Sequence, residues 1–423
     1  MSEIKRPEGK EMMKDLSEVF KCIDGYREEV IRLQSELTSR VALGPENQGT
    51  GEHEKAEFVE QEIRRLEPDR LEEVRAPDER AAGGYRPNLV AWWRGSEAGP
   101  AVWVLSHLDI VPPGGLELWD GDPYRVRVEG ERLYGRGVED DQHAIVSSLL
   151  AVKAVRDAGE ALKRTVGLAM VADEETGSRY GLGYLLEHRS GLFNREDLIV
   201  VPDGGNEQGT MIEVAEKGML WLRFTVNGVQ CHASTPQKGK NSLVGAARLI
   251  LALAELESRF SAVDPLFYPT ESTFAPTKIE ANVPNVNTIP GRERFYLDCR
   301  VLPEYGLDQV IEAARGLASK AASETGLEID VEVFHREDAA EPTPVDAPVV
   351  EGLKRAIKLV SGRDAEPKGI GGGTVAALFR KAGLPAAVWL TVQDTAHQPN
   401  EYCLIKDVLQ DAKVFAALYQ GGD

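Results

Sequence analysis

Residues 102–114 read VWVLSHLDIVPPG. The apolar run through Leu105 is too short for a helix and gives way to polar and proline-rich sequence, the pattern of a strand buried on both faces, predicted over 101–105. His107 and Asp109 follow at once. Ligands of open α/β sheets bind outside the carboxyl ends of the strands, so chemistry is to be sought where such runs end. Alternate residues of an extended segment share a face. Asp109 can therefore take the proton of one His107 nitrogen and leave the other for a metal. A histidine at a strand end is also often an ordinary polar residue, and the pair alone decides nothing.

The same form recurs along the chain. Short apolar runs predict further strands over 88–93, 165–172, 198–201 and 386–391. Helical spacing covers 10–42, 52–66 and 140–158, where Ile145, Leu149, Val152 and Val155 share a face. This alternation predicts an α/β fold with a mostly parallel central sheet and flanking helices. Over 215–336 the order changes to strand (219–226), helix (242–260), strand (294–301), helix (308–324) and strand (329–334), an α+β, ferredoxin-like pattern. The expected organisation is a discontinuous domain, residues 1–214 and 337–423, with residues 215–336 inserted.

Composition narrows the class. With 42% apolar and 28% charged residues in 423, the chain reads as an ordinary globular protein. A net charge of −20 repels phosphate backbones and anionic lipid, which excludes nucleic-acid and membrane partners as expectations. No apolar run approaches a membrane span, and the polar stretch 2–14 lacks the features of an export signal. Four scattered cysteines without CxxC spacing fit a reducing compartment, so a cytoplasmic location is expected.

Four more segments end in acid or imidazole. LYGRGVEDDQHA (133–144) carries Asp140 and Asp141 into a helix, where N-capping is the plainer account. LAMVADEETGS (168–178) ends in Asp173, Glu174 and Glu175, which repel one another unless a cation or solvent relieves them. LIVVPDGG (198–205) ends in Asp203, and TAHQPNEY (395–402) brings His397 and Glu401. Two imidazoles with several carboxylates suit one or two divalent ions of the Zn, Co or Mn type. No G-x-S-x-G elbow, P-loop or dinucleotide fingerprint is present.

Taken in order, SHLDIVPPG, LYGRGVEDD, ADEETGS, VPDGG, HASTP, NTIPG, DCR, GGGT and AHQPNE resemble the zinc metallopeptidase family of aminoacylases, glutamate carboxypeptidases, acetylornithine deacetylases, succinyl-diaminopimelate desuccinylases and cytosolic dipeptidases. The resemblance runs nearly end to end. It implies a two-metal, aminopeptidase-like catalytic domain and an inserted lid through which two subunits pair as a homodimer. It further implies two divalent ions per chain, zinc first, with His107 and Asp203 on one, Glu175 and His397 on the other, and Asp140 bridging. A cis peptide after Asp140 belongs to the same pattern.

Asp109 would orient His107, and Glu174 would be the general base for a hydroxide between the metals. His232, in HASTP, would help bind the oxyanion. Asn287, Arg300, Gly372, Gly373 and Thr374 match positions that bind a substrate carboxylate. The implied reaction is hydrolysis of an amide or peptide bond in a small substrate with a free carboxylate, by a deacylase or by a dipeptidase or carboxypeptidase. A catalytically silent binding or dimerisation protein on the same fold is the alternative. The chain departs from the family where D-x-K-G becomes Asp140-Asp141-Gln142-His143 and where Val375 and Ala376 follow GGGT. Neither change removes a proposed ligand.

Overall fold

The structure is a computed structural model in which residues 9–421 are described, with side chains from residue 16 onward. The polar stretch 2–14, on which the expectation of no export signal rests, lies largely outside the described residues. The principal strands are β1 (Arg70–Pro77), β2 (Tyr85–Trp93), β3 (Val102–His107), β4 (Val166–Val171), β5 (Leu198–Asn206), β6 (Met211–Glu216), β7 (Gly218–Asn227), β8 (Thr273–Ile279), β9 (Arg292–Val301), β10 (Glu328–Glu337), β11 (Glu366–Ile370) and β12 (Ala386–Thr391). The long helices are α1 (Gly9–Asp24), α2 (Arg27–Ser39), α3 (His53–Arg65), α4 (Gln142–Asp157), α5 (Ser242–Leu253), α6 (Leu307–Thr325), α7 (Pro348–Ser361) and α8 (Ile405–Tyr419). Two compact units result: Met1–Val214, Thr343–Pro367 and Leu378–Asp423 form the first, and Ala215–Pro342 with Lys368–Ala377 the second.

The main sheet has the order β1-β2-β4-β3-β5-β12-β6-β11. Its centre, β4-β3-β5-β12, is parallel throughout. The flanks are antiparallel, β1 to β2, β2 to β4 and β6 to β12. Connection length explains the difference. A parallel neighbour needs a crossover of a dozen or more residues, which the segment holding α4 supplies between β3 and β4, whereas only residues 78–84 join β1 to β2. Strands β3, β4 and β12 are buried at every position, as their unbroken apolar runs require. The sequence reading passes over β1 because RLEEVRAP is a sheet edge carrying four charges, the composition that protects an edge from pairing with other chains. Around the sheet, α8 packs on α4 and α7. Among the described residues no helix is long and apolar enough to cross a membrane.

The second unit runs β7-α5-β8-β9-α6-β10, with the wholly antiparallel sheet order β8-β9-β7-β10. This is the ferredoxin-like arrangement. Alternate residues of β7 (Leu220, Leu222, Phe224, Val226) join Leu249 and Leu253 of α5 and Val310 and Ala314 of α6 in its core. Phe224 stacks on Phe295 at 4.9 Å. Strand β8, which no apolar run announces, is an edge whose register shifts at Pro276, where a proline is tolerated.

Candidate active site

Every metal-ligand candidate belongs to the first unit. His107 is the last residue of β3, with its backbone N–H held at 2.9 Å by the Asp141 carboxylate. Asp140 and Asp141 precede α4 and are joined by a cis peptide. Glu174 and Glu175 open a 3-10 turn just past β4. Asp203 lies within β5, and His397 sits on the loop after β12.

These side chains meet. The Nε2 atom of His107 is 2.7 Å from Asp140 Oδ1 and 3.9 Å from Asp203 Oδ1. The Nε2 atom of His397 is 3.0 Å from Asp140 Oδ2 and 3.1 Å from Glu175. Asp140 thus offers one oxygen to each imidazole. Donor atoms of His107, Glu174 and Asp203 lie within 4.8 Å of one another, as do those of His107, Asp140 and Glu175. Asp109 does more than face His107. Its carboxylate accepts the backbone N–H groups of Glu174 and Glu175 at 3.0 and 3.1 Å. The His107 Nδ1 is 3.1 Å from the Asp109 carbonyl and 3.5 Å from its carboxylate.

Electrostatics decide whether this donor set suits a cation. Burial, then the charges of Glu175, Asp109 and Asp140, push the Glu174 carboxyl up to about 8. Burial and neighbouring carboxylates also raise Asp203 well above its ordinary range, and burial raises Glu175. Burial would lower His107, but Asp109 and Asp140 outweigh it and hold the imidazole well above its usual range. Hydrogen bonds to Asp140 and Glu175 lift His397 to about 10. Only protons relieve so crowded a set of carboxylates in the free protein, and a divalent ion would replace them. The mixed N/O donors match Zn, Co or Mn.

Backbone strain marks the same segments. Non-glycine residues with left-handed φ include Asp173 (63°) and Ser178 (59°) around the Glu174 turn, and Asp394 (57°), His397 (65°) and Asn400 (58°) on the His397 loop. Such conformations cluster at functional sites.

Several participants escape a reading of the sequence. Lys55, on the buried stripe of α3, is a fully buried cation. Burial lowers it to about 8 against the fields of Asp109, Glu52, Glu401 and Asp140. Arg86 and Glu52, both buried, form an ion pair nearby. The only available signal for Lys55 is a lysine at a helical position where its neighbours Ala56, Val59 and Ile63 are apolar. His143, in the first turn of α4, is buried with Nε2 3.0 Å from the carboxylate of Asp411 on α8.

The remaining candidates belong to the second unit and form two groups. His232 and Thr288 pair in a two-residue ladder, and Ala233 N–H donates to the Asn287 carbonyl at 2.8 Å. The His232 Nδ1 accepts the Ser234 N–H at 3.1 Å and lies 2.7 Å from the Ser234 hydroxyl oxygen, on an exposed residue. Arg300 forks onto Asp298 at 2.7 and 3.0 Å and reaches the Gly371 carbonyl at 3.0 Å, so three of its five N–H donors are engaged. That contact joins Arg300 to the run Gly372, Gly373 and Thr374, whose hydroxyl donates to Glu216 at 2.6 Å. A Cβ at Gly372 or Gly373 would meet nothing closer than 3.6 Å. Glycine there leaves the backbone open to approach rather than relieving a clash.

The chain has known relatives. A metallohydrolase of Methanocaldococcus jannaschii is 38% identical over 405 residues, covering 92% of this chain and 98% of its own. The succinyl-diaminopimelate desuccinylase of Gluconacetobacter diazotrophicus is 29% identical over 341 residues, 79% of this chain and 84% of its own. Among solved structures, human carnosine dipeptidase 1 superposes with a TM-score of 0.72 at 18% identity, covering 96% of this chain and 98% of its own. A tripeptidase from Staphylococcus aureus gives 0.73 at 17% identity, covering 93% and 98%. These two share the fold. The family described as peptidase family M20/M25/M40 matches residues 103–421, a span that opens on β3 and takes in all five strand-end segments. The chain belongs to that family and is a divalent-metal hydrolase of amide or peptide bonds.

Proposed function

We propose that the chain hydrolyses the amide or peptide bond of a small substrate bearing a free carboxylate, as an N-acyl amino acid deacylase or a dipeptidase or carboxypeptidase. The observation that carries this reading is the Asp140 carboxylate, one oxygen 2.7 Å from His107 and the other 3.0 Å from His397, with Glu174 and Asp203 in reach. His107 and Asp203 would hold one ion, Glu175 and His397 a second, and Asp140 both; zinc is the favoured metal. Divalent ions there would polarise the scissile carbonyl and acidify water.

Glu174 then acts as general base. It takes a proton from the attacking water and hands it to the leaving nitrogen. Its pKa of about 8 in the free protein falls when cations neutralise its neighbours, toward the value a base needs near pH 7. Asp109 fixes the turn from which Glu174 projects by accepting its N–H. We assign recognition of the substrate carboxylate to Arg300, Asn287 and the backbone amides of Gly372, Gly373 and Thr374, and a share of oxyanion stabilisation to His232. The second unit also serves as lid and homodimer interface in this reading, and the location is cytoplasmic.

The test is a panel of dipeptides, N-acetyl amino acids and N-succinyl amino acids offered to protein reloaded with Zn, Co or Mn. Metal-dependent release from one class supports the reading and names the substrate. No hydrolysis of any class by protein with two bound ions removes it. Sedimentation at twice the 46.4 kDa chain mass checks the dimer.

A further inference from the structure

Two loops supply Asp140 and His397, whose Oδ2 and Nε2 face each other at 3.0 Å. Residues 135–141 carry Asp140, and residues 392–401 carry His397. Each loop also holds a buried carboxylate that is spent on the other loop. Glu139, 3% exposed, accepts the backbone N–H of Gln393, and the N–H and hydroxyl of Thr395 at 2.7 Å each. Glu401, 0% exposed, does the reverse. Its Oε1 accepts the N–H of Glu139 at 2.9 Å and of Asp140 at 3.2 Å. Its Oε2 accepts the N–H of Gly137 at 3.1 Å and the Arg136 guanidinium at 2.6 Å.

The exchange is reciprocal and brackets both ligands. Glu139 is the neighbour of Asp140, and the groups it binds lie just before His397; Glu401 lies just after His397 and binds the Asp140 amide itself. A buried carboxylate is stable only with its hydrogen bonds made, so neither loop can shift without stranding a charge of the other. The His397 loop needs such external support, because three of its residues, His397 among them, have left-handed φ, a conformation that is costly for residues other than glycine.

We propose that Glu139 and Glu401 are positioning residues, a swapped pair of carboxylates that fixes the spacing of Asp140 and His397 and so tunes the affinity for the cation those two share. The inference rests on the reading above that both are ligands. Groups that orient ligands are commonly worth ten- to a hundredfold in metal affinity.

The experiment measures zinc dissociation constants by chelator competition, together with the Tm of the metal-free protein, for the parent, Glu139→Gln, Glu401→Gln and the double variant. Glutamine keeps one oxygen but turns an NH2 toward the donor N–H groups. The expected result is a loss of roughly ten- to a hundredfold in affinity at one of the two sites in each single variant, and a double variant weaker by less than the product of the two losses. Unchanged zinc affinity with a lowered Tm would make the pair a fold-stabilising contact only and overturn the proposal. Should the Gln variants not fold, Thr395→Val and Thr395→Ser replace them: loss of affinity in Val with retention in Ser supports the proposal, and equal affinity in both overturns it. His397→Ala distinguishes the two levels. If it weakens zinc binding while the Glu139 and Glu401 variants do not, the positioning role alone fails; if it leaves zinc binding unchanged, the ligand reading fails and carries the positioning role with it.

Discussion

Glu174 follows a left-handed Asp173 whose carboxylate accepts the Thr176 hydroxyl and the Tyr180 N–H, so its direction is set by the turn rather than by its own contacts. Glu174→Gln should leave the fold and metal content intact and lower kcat by about a hundredfold or more, the usual size of a general-base contribution; near-normal turnover would take the base role away. The imidazoles predict a pH dependence. His397 is raised to about 10 by Asp140 and Glu175, so in the metal-free protein its stabilising contribution is complete below about pH 6.5 and is lost as pH climbs toward 10. Binding a cation expels that proton. Zinc should therefore bind more tightly at pH 8 than at pH 6, and titration calorimetry in buffers of different ionisation heat should count protons released. Zero protons released would contradict the paired imidazoles. Histidine and carboxylate letters at strand ends are legible in the sequence because unbroken apolar runs point to them. Lys55 and Glu139 are not, because a buried charge carries the same letter as a solvated one, and Glu139 binds groups more than 250 residues away.

At the scale of elements, the glycines of VPDGG have a definite cause. Gly205 faces Leu390 across the parallel β5 and β12 pair, where a Cβ would stand 1.9 Å from the Leu390 carbonyl oxygen. Gly205→Ala should cost about 1–3 kcal/mol, as overpacking does, and should weaken zinc binding because Asp203 lies two residues upstream on the same strand. Gly99→Ala, with nothing within 4 Å of its Cβ, should stay within about 0.5 kcal/mol. Equal denaturation midpoints for the two would refute the packing argument. Buried elements were legible for the same reason: β3, β4 and β12 have no polar interruption. Edges were not. Strands β1 and β8 keep charge or proline where pairing ends, and those residues erase the apolar signal that marks a strand.

Over the whole molecule, the clustered carboxylates make the metal part of stability. Stripping it with a chelator should lower Tm, and zinc should restore it, each ion contributing about 2.7 kcal/mol at a hundredfold excess over its Kd. An unchanged melting curve would argue against cation binding at this cluster. One feature of the main sheet bears on how the protein is made. Strand β12 lies between β5 and β6, yet it begins at Ala386, long after β5 ends at Asn206. A ribosome adding about 5–20 residues per second emits β5 some 10–40 s before its permanent neighbour exists, so the nascent chain waits with an unpaired inner edge. Vectorial synthesis thus leaves the main sheet incomplete until the residues of β12 have emerged, and a chain terminated before residue 386 is a natural client for chaperones rather than a smaller enzyme.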